Sequence, residues 1–379
     1  MSGKSLKRLT LLVCLLVLSA TPALSTANAK VVFLSAGPAD SPFFSQAIKI
    51  MQVAASDLEL DLEVVYGDDD LFVIREQAKA LFMRTNRPDY LVMLNHRDIT
   101  VEVMRQADEY GVNTLLFNSS FSDDVFTQFR HGPNPLHHWI GQVIPNDEQS
   151  GRLVAQKLIE QAREANARDE QGKIQVVAIN GSLRSVASAK RKKGLLAYIN
   201  EQDDVVLNQV VNANWGRSEA RDKTQKLLQR FKDTTVVWTA ADYMALGAAQ
   251  AIEDSGMQAG QDVFTAGVDC LPAAFEPIRA GKLAGCAGGH SFDAAWAMVV
   301  IYDHLHKHAE QFVNEKTKFY WSTARDLSTM NYLVDTTRWD NIDFKTFSKT
   351  HKGEKPYNFG ARLIVESANT SAVQKPKTQ

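Results

Sequence analysis

Cysteine is scarce in this chain, which has 3 among 379 residues. One of them, Cys14, lies in an apolar run near the amino terminus, so only Cys270 and Cys286 remain further along. Two cysteines are too few for the disulfide framework that holds many small secreted domains together. Because free cysteine is commonly buried, we expect both to be small buried apolar side chains rather than a bonded pair.

Apolar runs long enough to cross a membrane are also missing. A membrane-spanning helix takes about 20 apolar residues. The longest run, Leu9 to Leu18, is about half that length. It follows three basic residues and precedes small residues that end at Ala29. This order is typical of a secretory signal peptide, so we predict that 1–29 is removed by cleavage after Ala29 and that the mature protein resides in the periplasm.

An excess of positive charge is likewise absent. The predicted cleavage removes three basic residues and no acidic one, which leaves 39 Lys and Arg against 44 Asp and Glu, a formal net charge of −5. Proteins that bind nucleic acid usually present basic patches to the phosphate backbone. We therefore expect no nucleic-acid partner.

What the sequence does contain is an alternation of short apolar runs with amphipathic stretches of helical length. This pattern is typical of parallel βα units and predicts the α/β fold class. The predicted strands are Val31 to Ala36, Leu62 to Tyr66, Tyr90 to Leu94, Asn113 to Phe117, Trp139 to Val143, Ile174 to Ile179, Val205 to Val211, Thr235 to Thr239 and Asp262 to Gly267.

The length of the chain favours two lobes, because it exceeds what one hydrophobic core usually organises. The two strand series meet near residue 144, and a further strand from Lys318 to Ser322 connects the lobes again. The predicted organisation is a first lobe of 30–143 plus 270–318, a second lobe of 144–269 plus 319–345, and a polar extension of 346–379, of which 367–379 is expected to be disordered.

Polar and aromatic residues follow the predicted strands, where ligands bind in open α/β sheets. Aromatic rings suit the apolar faces of a sugar, and amides, carboxylates and arginine suit its hydroxyl groups. The segments concerned are Ser41 to Phe44, Asn95 to Asp98, Asn118 to Ser120, Gly181 to Arg191, Asn214-Trp215, Ala241-Asp242 and Val268-Asp269.

Five short motifs in the same order resemble those of the type I periplasmic binding proteins of the ribose and galactose class. They are Ser41-Pro42-Phe43-Phe44, Asp147 to Gly151, Arg191 to Gly194, Asp242 to Ala248, and Gly267-Val268-Asp269 followed by Ile278 to Leu283. The resemblance covers about Lys30 to Leu333. It implies two Rossmann-like lobes with parallel sheets, joined by a three-stranded hinge, and a binding function without catalysis.

The resemblance also implies a ligand site between the lobes. Its residues would be Ser41, Phe43, Phe44, Asp98, Asn118, Arg191, Trp215, Asp242, Asp269 and His290. In this assignment Phe43, Phe44 and Trp215 sandwich the ligand ring, and the polar residues hold its hydroxyl groups. The chain has Ala241 where the ribose class has an asparagine and Gly288-Gly289 before His290, so ribose specificity is not transferred.

The sequence is also similar to a quorum-sensing autoinducer receptor of the same fold. Asn118, Arg191 and Asp242 fit its ligand positions, and its helical carboxyl-terminal extension is similar to Asp340 to Lys349. The chain has Gly289 in place of that receptor's second anchoring arginine, so a borated furanose ligand is not supported.

No pattern in the sequence supports catalysis, a cofactor or a metal. A Gly-x-Ser-x-Gly motif is missing, and His304 and His308 would form only one helical pair without a third ligand. We therefore expect a monomeric binding protein that closes around a small sugar-like ligand. Its membrane partner is either the permease of an ABC importer or a sensor such as a histidine kinase, diguanylate cyclase or chemoreceptor.

The predicted processing can be tested directly. The protein released from cells by osmotic shock should begin at Lys30, because the small residues before it fit the signal peptidase site. Amino-terminal sequencing that finds residue 1, or a lipid on Cys14, would contradict this prediction.

Overall fold

Two sheets organise the chain in a computed structural model, which describes residues 28–96, 98–309, 311–326, 339, 341–353 and 355–361. Within these residues the strands are β1 (Lys30–Ser35), β2 (Asp61–Tyr66), β3 (Tyr90–Met93), β4 (Asn113–Phe117), β5 (Trp139–Pro145), β6 (Ile174–Asn180), β7 (Val205–Asn212), β8 (Thr234–Thr239), β9 (Phe264–Asp269), β10 (Cys286–Gly288), β11 (Val313–Thr317) and β12 (Tyr320–Ser322). The helices are α1 (Pro42–Asp57), α2 (Leu71–Met83), α3 (Asp98–Tyr110), α4 (Asp123–His131), α5 (Asp147–Glu164), α6 (Val186–Ile199), α7 (Arg217–Arg230), α8 (Asp242–Asp254), α9 (Pro272–Arg279), α10 (Asp293–Leu305) and α11 (Lys349–Lys352). Short 3₁₀ turns cover His290–Phe292 and Phe344–Phe347.

Each sheet has six strands in the described part of the chain. The first sheet has the order β11-β5-β4-β3-β1-β2, and the second has the order β12-β10-β9-β8-β6-β7. Neighbouring strands are parallel except β10 and β12. The predicted α/β fold of two parallel-sheet lobes is confirmed, and each predicted strand of the two series agrees with an observed one to within two residues at either end. None of the described helices is long and apolar enough to cross a membrane.

Helices cover both faces of the first sheet, so its strands are apolar on both sides. In β1, Val31 and Phe33 share a core with residues of α1, whereas Val32 and Leu34 share a second core with residues of α2 and α3. Continuous apolar runs of this kind are typical of parallel strands. The helix α1 begins at Pro42 as predicted.

The chain returns to the first lobe later than the sequence predicted. The expected crossing at Asp269 is wrong for 270–288, whereas α10 and β11 lie in the first lobe as predicted. The helix α9 packs against α8, and β10 pairs with β9, so the chain stays in the second lobe through Gly288. The strand β10 has three residues, and its pairing with β9 and β12 places it in the second sheet. The chain crosses near Gly289, and α10 then packs against α1 and β5.

The predicted connecting strand from Lys318 to Ser322 contains β12, whereas the strand before it, β11, ends at Thr317 and was not predicted. The strand β11 pairs with β5 in the first sheet, and β12 pairs with β10 in the second, so the chain crosses near Lys318. An earlier crossing lies near Asn146, whose backbone N–H donates to the carbonyl of Thr317 at 2.9 Å. The first and third crossings are therefore hydrogen-bonded side by side.

Cys270 and Cys286 form a disulfide, and their Cα atoms are 5.3 Å apart. The expectation of two unbonded cysteines is therefore wrong, although both are buried as predicted. Cys270 follows β9 and Cys286 begins β10, so the pairing of these strands brings the thiols together. A count of cysteines could not reveal this pairing.

The carboxyl-terminal segment, described for 339, 341–353 and 355–361, packs on the first lobe. This corrects the assignment of 339 and 341–345 to the second lobe. The backbone N–H of Phe344 donates to Asp57 of α1 at 2.8 Å, and the ring of Phe359 stacks on Trp296 of α10 with centroids 4.8 Å apart. The extension predicted as polar thus carries apolar anchors as far as Ala361, while 362–379 lies outside the described residues.

One buried carboxylate, Asp303 at the end of α10, fixes this segment. It accepts hydrogen bonds from the backbone N–H of Lys349 at 2.7 Å and of Thr350 at 2.9 Å, and from the hydroxyl of Tyr357 at 2.9 Å. Asp303 is completely buried, so these donors replace the water that it has lost.

Replacement of Asp303 should therefore release the segment. We expect Asp303→Ala to lower the free energy of unfolding by about 1–3 kcal/mol, because it leaves buried amides without an acceptor. Urea unfolding measures this change, and limited proteolysis should cut the segment sooner. Asp326→Ala, at an exposed turn, is the control. Equal stability and equal proteolysis in the two variants would contradict the prediction.

Candidate functional site

The carboxyl ends of the strands in both sheets face a cleft between the lobes. A hydrogen bond crosses it from Lys190 Nζ to Ser120 Oγ at 3.2 Å, and the ring of Phe43 stacks on the ring of His290, just after the second crossing, with centroids 4.7 Å apart. Phe43 and Ser120 belong to the first lobe, Lys190 belongs to α6, and His290 follows the second crossing. Ligands of open α/β sheets bind at this end of the strands.

A buried ion pair lies at the floor of the second-lobe side. Arg191 of α6 donates from Nε to Asp147 Oδ1 at 2.8 Å and from Nη1 to the carbonyl of Ala240 at 2.7 Å. The side chains of Arg191 and Asp147 are about 5% and 4% exposed, so water does not screen the pair. Asp147 was not among the predicted site residues.

Two glycines allow this ion pair to form. A Cβ at Gly151 would collide with the backbone of Arg191, and a Cβ at Gly194 would collide with the backbone of Glu148. The helices α5 and α6 therefore approach until their backbones touch. The spacings Asp-x-x-x-Gly and Arg-x-x-Gly thus bring Asp147 beside Arg191, and this is the signal in the sequence that could have identified Asp147.

Asp269 and His290 extend the network towards the hinge. Asp269 Oδ1 lies 3.6 Å from Arg191 Nη1 and 3.3 Å from His290 Nε2. His290 Nε2 also lies 3.5 Å from Arg191 Nη2. Burial lowers the pKa of His290, more than the neighbouring Asp269 raises it, so the imidazole is neutral at neutral pH.

Asp242 lies behind this network rather than beside its donors. It is completely buried at the start of α8, and its Oδ2 accepts from the backbone N–H of Leu271 at 2.8 Å. Burial, followed by the charge of Asp269, raises the pKa of Asp242 well above its usual value.

Aromatic rings border the polar network on several sides. The guanidinium of Arg191 lies 5.6 Å from the ring centre of Trp215 and 5.9 Å from that of Phe319. Phe44 packs edge-on against Phe43 with centroids 5.3 Å apart. A Cβ at position 181 would collide with the indole of Trp215, so Gly181 makes room for that ring.

Several buried polar atoms around the cleft have no hydrogen-bond partner in the described structure. They include Asn118 Oδ1, His96 Nε2, Asn180 Oδ1 and His290 Nδ1. A buried polar atom without a partner is costly, by about 1–3 kcal/mol. A polar ligand in the cleft would supply such partners.

The structure brings most of the predicted site residues together. Arg191, Trp215, Asp269, His290 and Phe43 form one connected network. Phe44 contacts Phe43, and Asp242 supports the loop after β9. Asn118 follows β4 with a left-handed φ of 60°, and Ser41 precedes α1. The side chain of Asp98 lies outside the described residues. Their roles in binding remain predictions.

A separate surface cavity of about 870 Å³ lies at the opposite end of the first lobe. Its lining includes Ala29, Asp89 and Val112, which precede β1, β3 and β4. It shares no residue with the network around Arg191, and the predicted cleavage would remove Asn28 and Ala29 from its wall. We therefore place the candidate site in the cleft.

Comparison with known proteins agrees with this geometry. Residues 31–310 match a family model described as periplasmic binding protein domain. The chain is 24% identical over 267 residues to a D-apiose import binding protein of Actinobacillus succinogenes, which covers 70% of this chain and 78% of that protein. It is 23% identical over 295 residues to a ribose import binding protein of Haemophilus influenzae, covering 74% and 86% of the two chains.

A solved structure is similar over a larger share of the chain. It is a periplasmic sugar-binding protein from Pseudomonas fluorescens, with a TM-score of 0.79 and 28% identity. The match covers 89% of this chain and 99% of that one. The relatives are binding proteins, so the expectation of a protein that binds without catalysis agrees with them.

The free energy of unfolding should depend on pH through His96, which follows β3 at the edge of the cleft. Burial lowers its pKa to about 4, so the unfolded chain takes up a proton below pH 6.5 and the folded chain does not. Stability is then complete above about pH 6.5 and falls by about 1.4 kcal/mol per unit towards pH 4. Urea unfolding across this range should show a shallower slope for His96→Gln than for His131→Gln, an exposed control. Parallel slopes would refute the assignment.

Proposed function

The chain belongs to the periplasmic binding protein family, and we propose that it captures one sugar-like ligand between its lobes and delivers it to the permease of an ABC importer. The observation that carries the proposal is the buried network of Arg191, Asp269 and His290 next to the ring of Phe43. It combines planar donors, a carboxylate acceptor and an aromatic face in one cleft.

The charge of the network favours a neutral ligand. Asp147 at 2.8 Å and Asp269 at 3.6 Å already surround the guanidinium of Arg191, and the imidazole of His290 is neutral. A carboxylate or phosphate on the ligand would need a buried cation without such partners. Hydroxyl groups both donate and accept, so they can use Arg191 and Asp269 together.

Aromatic rings give the site a second property expected for sugars. The C–H faces of a sugar ring are apolar and pack on aromatic rings, whereas its hydroxyl groups point outward in the ring plane. Phe43 and Trp215 border the network from the first and second lobes. The relatives include proteins named for the import of D-apiose and of ribose, which supports this ligand class.

Capture would proceed by hinge closure. A ligand held first by one lobe gains contacts from the other, and it shifts the open–closed equilibrium by the difference in its affinity for the two forms. The closed form would then dock on the permease. We also propose that the mature protein acts as a monomer, because one chain supplies the whole network, and that 1–29 is its cleaved signal peptide.

Ligand binding can be tested with a thermal-shift screen of the purified protein against sugars, polyols, nucleosides and amino acids. A neutral sugar or polyol should raise the melting temperature, because it binds the folded state only. Stabilisation by an amino acid or a nucleoside alone would reject the sugar and keep the binding function.

Two variants then test the site. Asp269→Asn should weaken binding about tenfold or more and change the preference between hydroxyl epimers, because it replaces a charged acceptor by an amide. Phe43→Ala should weaken binding and keep that preference, because stacking is nearly independent of hydroxyl orientation. Asp262→Asn, an exposed residue before β9, is the matched control. If both variants bind the ligand with the affinity of the parent, the ligand site does not lie in the cleft.

A further inference from the structure

The loop that carries Asp269 has an unusual backbone. Asp269 has φ of 121° and Cys270 has φ of 55°, so two consecutive residues other than glycine have left-handed φ values. Side chains rarely adopt these values, and such strain persists only where the surrounding structure enforces it. The strain lies at the residue that faces both Arg191 and His290.

Two restraints act on this loop within three residues. The disulfide joins Cys270 to Cys286 at the start of the neighbouring strand β10, and Asp242 accepts a hydrogen bond from the backbone N–H of Leu271. Both cysteines and Asp242 are at most 1% exposed, so neither restraint is loosened by water. The loop is therefore tied to β10 on one side and to α8 on the other.

The neighbouring strand is shaped to accept the disulfide. Gly288 pairs with Asp269 across the two strands, and a Cβ at Gly288 would lie 2.6 Å from both Cβ and Sγ of Cys270. Any larger residue would displace the cross-link. The chain then turns at Gly289, with φ of 113°, into the segment that presents His290. The cross-link thus lies between the two site residues Asp269 and His290.

From these observations we infer that the Cys270–Cys286 disulfide and Asp242 are positioning elements for the Asp269 carboxylate. They hold the strained loop in the one conformation that brings Asp269 Oδ1 to His290 and Arg191. The inference rests on the proposed function in assigning Asp269 to ligand binding. The positioning itself does not require a ligand.

A general stabilising role would act differently. The disulfide closes a segment with a sequence separation of 16 residues, which restricts the unfolded chain whatever the loop conformation is. That effect changes the melting temperature and leaves the folded site unchanged. A positioning role changes the site even where every molecule is folded.

The first experiment uses His290 as a reporter without ligand. In ¹⁵N-imidazole NMR spectra of the full chain, Asp269→Asn should shift the His290 Nε2 resonance, because the carboxylate lies 3.3 Å away. The double variant Cys270→Ala/Cys286→Ala should shift it in the same direction. Leu228→Ala, a buried change near the end of α7 away from the cleft, should lower stability and leave the resonance in place. A His290 resonance in the double variant that coincides with the parent's would overturn the inference.

The second experiment is a double-mutant cycle on affinity, with D-ribose, D-galactose, D-allose and myo-inositol as probes. Removal of the disulfide should lower the affinity for the tightest-binding probe about tenfold in the parent. In the Asp269→Asn background the loss should be less than about twofold, because the cross-link acts through Asp269. Equal losses in both backgrounds would overturn the inference. If none of these four probes binds the parent, the cycle uses the strongest sugar or polyol from the thermal-shift screen. A screen without any such compound rejects the sugar proposal, and the NMR experiment still decides the positioning role.

Circular dichroism establishes which variants fold. If the double variant does not fold, Asp242→Ala replaces it in both experiments, because this change unties Leu271 and keeps the cross-link. It should shift the His290 resonance and lower affinity in the same way. A folded Asp242→Ala variant with the parent's resonance and affinity would equally reject the inference.

Discussion

The buried ion pair between Asp147 and Arg191 is the interaction on which the candidate site depends. An arginine with about 5% of its side chain exposed cannot remain without a counter-charge, because the cost of its desolvation is high. Asp147 supplies that charge, and it can do so only because Gly151 and Gly194 let α5 and α6 touch. The packing of two helices thus fixes the direction in which the guanidinium points into the cleft.

The same ion pair connects the site to the hinge. Asp147 begins the helix after the first crossing, Asp269 pairs with Gly288 at the end of β10, and His290 follows the second crossing. At the third crossing, Thr317 accepts from the backbone of Asn146, the residue before Asp147, and donates to Asp293 at 2.7 Å. A ligand that contacts Arg191 and Asp269 would therefore contact side chains next to the segments that join the two lobes.

The sequence predicted the βα order because the apolar periodicity of each strand and helix is local. It failed where the outcome depends on a distant partner. It did not predict that β10 pairs with β9 in the second lobe, that this pairing joins Cys270 to Cys286, or that Phe344, Phe347 and Phe359 pack on Trp296. In the site, the residues carried by motifs come together, whereas Asp147 entered the sequence analysis only as part of the motif Asp147 to Gly151. The resemblance supplied its motif, but only the contact between backbones shows its partner.

The hydrogen bond from Lys190 to Ser120 joins the two lobes across the cleft and contributes on the order of 1 kcal/mol. Asn118 Oδ1 and His290 Nδ1 are buried without partners in the described structure, which costs a similar amount. In the proposed hinge closure these two effects nearly cancel, so the ligand would set the position of the equilibrium. Because a population can shift only by the difference in affinity for the two forms, a ligand that satisfies these atoms and also bridges both lobes drives closure, whereas one that fills a single lobe does not.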